Sequence, residues 1–134
     1  MKKPTPAQVV QHYLDTFFAK DVERTLDCLT DDVVWKVQGA AEVPTIGLRQ
    51  GKDAVRAWLA AFPQHFKPLA FRIDRMFENG QQVVVTGDFT HQILSTGRTF
   101  SSDFAAVCTV RDGKISAYAF LEDSYALWQS FQPV

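Results

Sequence analysis

The sequence predicts an α+β domain in which helices gather on one side of a long, curved, mainly antiparallel sheet. Two observations carry this. The first half orders itself as helix, helix, strand, helix, and the second half, roughly Leu69 to Asp123, reads as four strands in a meander joined by three tight turns. A third observation is the 11 phenylalanines among 134 residues, rings that must fill a core, line a cavity or cover an interface. A sheet of this length must coil, and helices one and three can pack into its concave side, leaving a cone-shaped cavity between them.

The first helix has a defined start. Thr5-Pro6-Ala7-Gln8 is a capping box with proline at the first helical position. Val9, Val10, Tyr13, Leu14, Phe17 and Phe18 then recur at helical spacing on one face. Asp21 is placed to cap a short second helix with Val22, Leu26 and Leu29 inward. Val33 to Val37 is a short strand. A loop follows from Gln38 to Gln50, with Gly39, Pro44 and Gly47. Helix three runs from about Lys52 to Phe62 and stops at Pro63, with Val55, Trp58, Leu59 and Phe62 as its apolar stripe. Phe66 belongs to an irregular segment before Pro68.

In the meander, Leu69, Phe71 and Ile73 alternate with polar or small residues, and Asn79-Gly80 forms a two-residue hairpin turn. Val83 to Leu94 is the next strand, turned at Ser95-Thr96-Gly97. Thr99 to Arg111 is the third, turned at Asp112-Gly113, and Ile115 to Leu121 is the fourth. Asp123 caps a terminal helix reaching Trp128 and Phe131. No repeat or boundary divides the chain, so residues 1–134 form one domain.

Composition narrows the partners. With 14 basic and 15 acidic residues the formal charge is −1, which recommends neither nucleic acid nor an anionic membrane. No apolar stretch follows Met1-Lys2-Lys3, and none has the length of a membrane span, so a cytoplasmic location is expected by default. Cys28 and Cys108 each fall in an apolar run and read as reduced, buried residues. The three histidines follow no ligand spacing, and no glycine-rich phosphate loop occurs, so no metal or cofactor is expected.

Several segments together resemble the nuclear transport factor 2-like superfamily, and within it the SnoaL-like and ketosteroid-isomerase-like branch. They are the Tyr13-to-Asp21 helix end, Leu29-Thr30-Asp31-Asp32-Val33-Val34-Trp35, Gly51-Lys52-Asp53-Ala54-Val55, Thr96-Gly97-Arg98, Asp112-Gly113-Lys114-Ile115 and Glu122-Asp123-Ser124. The resemblance implies a cone-shaped, cystatin-like fold and says little about activity. Of the ketosteroid-isomerase pattern, Tyr13 matches. The base position falls on Val37, and the second acid's position on Ala105, with Asp103 two residues away. The limonene-type epoxide hydrolase pattern falls on Phe89, Gly87 and Phe120, and none of its groups is kept. The polyketide-cyclase pattern places an acid on the last strand, where the chain offers Phe120, Glu122 and Asp123.

The resemblance also implies which faces look inward: Gly87, Phe89, His91 and Ile93; Asp103, Ala105 and Val107; and Tyr118, Phe120 and Glu122. On that alignment three residues are candidates for chemistry. Asp103 would move a proton, or sit hydrogen-bonded at the rim. Tyr13 would hold an oxyanion, or be a core tyrosine. His91 would share the proton with Asp103 if a turn centred on Thr96-Gly97 brings the two near each other; otherwise it is a partly solvated strand residue. His12 and His65 read as surface residues. Phe17, Trp35, Trp58, Phe62, Phe89, Tyr118, Phe120 and Glu122 would line the cavity, Glu122 at its mouth or beside Arg98. The outer face would carry Phe104, Ala106, Cys108 and Val110 with Ala117, Ala119 and Leu121. That apolar breadth implies a homodimer through the convex sheet face. Two functions follow. One is a cofactor-free acid–base enzyme (isomerase, cyclase or dehydratase type) on a small hydrophobic or aromatic carbonyl or hydroxyl compound. The other is a non-catalytic ligand-binding or dimerisation domain with the same cavity.

Overall fold

The Thr5–Gln8 box opens the chain as its sequence requires. Gln8 N–H donates to Thr5 Oγ1 at 3.1 Å, and Thr5 N–H to Gln8 Oε1 at 2.9 Å. These two bonds start α1 (Pro6–Phe18) in a computed structural model that describes residues 3–133. Asp21 caps α2 (Val22–Asp27), accepting from Arg24 N–H. The chain continues through β1 (Leu29–Val37), β2 (Gly47–Gln50), α3 (Lys52–His65), β3 (Phe66–Asn79), β4 (Gln82–Ile93), β5 (Thr99–Arg111), β6 (Lys114–Glu122) and α4 (Ser124–Phe131). Asp123 caps α4, accepting from Ala126 N–H at 3.0 Å, a contact that stabilises such a helix by about 1 kcal/mol.

The six strands form one curved, unclosed sheet in the order β2-β1-β6-β5-β4-β3, antiparallel except where β1 runs parallel to β6. Helices α1 and α3 bury Val9, Val10, Tyr13, Leu14, Val55 and Leu59 against its concave face. Among the described residues, no helix is long and apolar enough to cross a membrane. Among the described residues, no group of His, Cys, Asp or Glu is placed to hold a metal ion.

Several features depart from the sequence reading, and the first is that Leu29, read as part of helix two, opens β1. The segment read as loop contains β2, whose four residues pair with Val34 to Val37 at the sheet edge. Helix α3 runs through Pro63 to His65. The missing N–H falls in the last turn, which Phe66 N–H closes by donating to Phe62 O. The irregular segment at Phe66 is the start of β3, and Pro68 is accommodated because β3 is an edge strand with bulges at Leu69 and Asp74. The β3–β4 turn centres on Gly80-Gln81, since Asn79 pairs with Gln82. Glycine takes the first central position at φ 60°, the signature of a type II′ turn.

The register of β4 against β5 sets the face of every candidate residue. Ile93 N–H donates to Arg98 O, enclosing a four-residue loop, and His91 pairs with Phe100. Asp103 pairs with Asp88. Because strand side chains alternate, Asp103 shares a face with Asp88 and points away from that of His91. The inward residues of β5 are thus Phe100, Phe104, Ala106, Cys108 and Val110, all buried. Four residues expected on the outer face lie inside, and Ala105 and Val107 take the outside with Ala117, Ala119 and Leu121.

Candidate functional site

A cavity remains between the concave sheet face and helices α1 and α3, with Leu127 of α4 at one side. About 70 Å³ of it is free to the centre of a water molecule. Its walls are aromatic. Phe17 stands edge-on to Phe62, with centroids 5.6 Å apart, and lies 6.5 Å from Trp58. Across from them Phe104 stacks on Phe120 at 5.3 Å, and Phe71 on Phe104 at 4.9 Å. Phe18 lines the cavity yet is 41% exposed, and it rests on Phe71 at 4.4 Å, so this pair marks where the cavity meets solvent.

Of the residues the sequence placed at this site, Tyr13, Phe17, Trp58, Phe62, Phe89, His91, Tyr118, Phe120 and Glu122 all line the cavity. Trp35 does not. It is fully buried behind the wall, stacked on Tyr118 at 4.1 Å, and is a core residue. Asp103 does not either. It is exposed on the convex side, in a polar groove with Asp88, Thr90, Ser101, Ser102 and Asp123. The three candidates for chemistry therefore do not meet: Tyr13 and His91 share the cavity and Asp103 lies outside it. Among the lining residues that the sequence reading assigned elsewhere or left out are Phe18, Phe66, Phe71, Phe100, Phe104 and Ala106. The continuous apolar run Phe104 to Cys108 hides which alternate set faces in.

Inside this apolar space polar groups are few. Burial pushes the Tyr13 hydroxyl well above the usual phenol range, and the neighbouring Tyr118 adds to the effect. Tyr118 is raised by burial as well. Both phenols therefore keep their protons; with Tyr13 hydrogen-bonded to Tyr118, the pair has one O–H left to donate to an oxygen atom in the cavity. Trp58 Nε1 is already committed, donating to Thr45 O at 3.0 Å. His91 is walled by Phe62, Phe66 and Phe89, with centroids 5.6, 5.4 and 4.6 Å away, and its Nδ1 is buried without a hydrogen-bond partner. Burial lowers its pKa to about 4, so the ring is neutral near neutral pH.

Glu122 is the group that the geometry brings forward. It follows Tyr118 and Phe120 on the inward face of β6 and pairs across the sheet with Phe104. Burial first, and the adjacent Asp123 charge second, raise its pKa to about 7, with no hydrogen bond or cation offsetting either. Tyr118 and Glu122 are separated by four residues, roughly 13 Å along the strand. A carboxyl that titrates near neutrality can both give and take a proton. The phenols near Tyr118 can stabilise charge developing on a ligand oxygen.

The family model for the SnoaL-like domain matches residues 10–118. No curated protein matches the chain. Among solved structures, the chain is similar to an NTF2-like (nuclear transport factor 2-like) protein of Burkholderia xenovorans LB400. The identity is 25%, 98% of this chain and 99% of that one are covered, and the TM-score is 0.89. An NTF2-like protein of Burkholderia thailandensis E264 is 21% identical over 97% and 99% of the two chains, with a TM-score of 0.87. TerC, co-crystallised with polyporic acid, is 24% identical over 93% and 97%, with a TM-score of 0.83. With most of its length inside the family model and this fold throughout, the chain belongs to the SnoaL-like domain family.

Proposed function

We propose that this is a cytoplasmic protein that binds a small hydrophobic or aromatic carbonyl or hydroxyl compound in the aromatic cavity. On it the protein performs cofactor-free proton transfer, with Glu122 as acid and base. The observation that carries this reading is a half-buried carboxyl that lines the cavity on the inward face of β6 among phenylalanines, a setting whose desolvation raises its pKa to about 7. The Tyr13–Tyr118 hydroxyl pair supplies a hydrogen bond to the ligand oxygen. Glu122 takes over the role that the sequence gave to Asp103, which has no access to the cavity.

A probe reaction is exchange of the α-protons of 2-tetralone, a neutral aryl-fused ketone, in deuterated water. Wild-type protein is expected to accelerate the exchange, and Glu122→Gln to slow it by about 100-fold or more while still binding the ketone. Binding with no acceleration by the wild type supports the second reading, a non-catalytic ligand-binding domain. That reading is favoured by one observation: among the described residues that line the cavity there is no second carboxyl to share the work.

The reading includes a homodimer through the convex face, where Ala105, Val107, Ala117 and Ala119 surround Leu121, itself 39% exposed. Sedimentation equilibrium is expected to show a dimer in the wild type and a shift to monomer in Leu121→Lys. A monomeric wild type removes this part of the reading.

A further inference from the structure

We infer that the cavity selects its ligand by charge, admitting neutral aromatic compounds and excluding aryl carboxylates and other anions. This rests on the reading of the cavity as a ligand site and goes beyond it by naming what the site rejects. An anion buried in an apolar space needs a countercharge or a set of donors. Among the described residues that line the cavity there is no lysine or arginine. The arginines nearby are committed elsewhere. Arg49 donates to the carbonyls of Thr45 and Pro44, and Arg98 to those of Gln129 and Gln132.

The titratable groups that face the cavity are Tyr13 on α1, His91 on β4, and Tyr118 and Glu122 on β6, with Asp123 adjacent. Helix α3 and strands β3 and β5 contribute none. His91 sits among three aromatic rings, a setting that disfavours the imidazolium. Phe71, Phe104 and Phe120 stack on one another and bring neither a cation nor a polar donor to this wall. Glu122, once ionised, adds a like charge. A carboxylate entering this space would lose its water, find no countercharge and have only the Tyr13–Tyr118 hydroxyl pair to donate to it. A neutral carbonyl or hydroxyl would meet the same hydroxyl pair at a far smaller desolvation cost.

The test compares 2-naphthalenemethanol with 2-naphthoate, which share a ring system and differ in charge. Titration calorimetry measures affinity at about pH 8 and about pH 6, conditions under which an aryl carboxylate remains ionised. The chemical shift of the Ala106 methyl, inside the cavity, reports where each probe sits. The alcohol is expected to bind at least about tenfold tighter than the naphthoate at the higher pH. The gap is expected to narrow at the lower pH and in Glu122→Gln, where the like charge is gone. It should not close, because the desolvation cost remains. Naphthoate binding as tightly as the alcohol at about pH 8, with the Ala106 shift moved, overturns charge selection and leaves the ligand site standing. If neither probe moves that methyl, the ligand-site reading itself fails, and the inference with it.

Discussion

Replacing Gly87 with alanine is expected to destabilise the protein by about 3 kcal/mol or more. The added methyl would lie 1.9 Å from the carbonyl oxygen of Arg72 and 2.9 Å from Cε1 of Phe104. The first contact is with backbone, so no rotamer change relieves it. The cause is local. Gly87 of β4 pairs with Ile73 of β3, beside the bulge at Asp74. There the edge strand folds over the sheet closely enough that no side chain fits between them. A Gly97→Ala variant is the control. Its new methyl meets nothing within 4 Å, and only the positive φ of 78° opposes it, at about 1 kcal/mol. Denaturant midpoints for the two variants should therefore differ clearly. Equal losses would mean that the β3–β4 contact is not close-packed in solution.

Which parts of this architecture could be read in advance follows from how local their determinants are. The helix starts at Thr5, Asp21 and Asp123 are set by side chains within three residues of the groups they cap, and all three are formed. Asp112-Gly113 is equally local. Both residues take positive φ, 52° and 77°, as a type I′ turn demands. Strand β2 was hidden because four residues, Gly47 to Gln50, carry too little pattern to announce an edge strand defined by its partner β1. Pro63 misled because a proline costs the helix one N–H bond and crowds the carbonyl four residues back, a loss that the last turn of α3 absorbs.

The site was legible on β4 and β6 and not on β5, and the reason is pattern contrast. On β6, Tyr118, Phe120 and Glu122 alternate with Ala117, Ala119 and Leu121, so large rings mark one face. On β5, Phe104-Ala105-Ala106-Val107-Cys108 is apolar at every step, and alternation cannot choose a side. A family alignment then supplied the choice, shifted by an odd number of residues, and with it Asp103 moved from the inside to the outside. Pairing His91 with Phe100 across a four-residue loop decides the matter. The consequence is chemical. The acid inside the cavity is Glu122, and its role depends on burial, which no spacing in the chain displays.

That burial has a signature in stability against pH. The folded state raises Glu122 from its ordinary 4.5 to about 7, so between these values the folded protein holds a proton that the unfolded chain has lost. Stability from this group is present below 4.5 and falls as pH rises toward 7, by about 3 kcal/mol in total. His91 acts in the opposite sense. Its pKa falls from 6.5 to about 4, so in that interval the unfolded chain binds the extra proton and stability rises with pH by a similar amount. Between about 4.5 and 6.5 the two cancel, because folding moves one proton's worth of binding from histidine to glutamate with no net uptake. Wild-type stability attributable to this pair is therefore expected to be nearly flat there. Glu122→Gln should expose the histidine alone, with stability climbing from about pH 4 to 6.5. His91→Asn should expose the glutamate alone, with stability declining from 4.5 to about 7. Urea midpoints across this range, taken as differences from wild type, cancel the contributions of all other groups. Opposite slopes in the two variants place both residues in the same dry interior, whereas parallel slopes would mean that water reaches at least one of them and that Glu122 is an ordinary carboxylate.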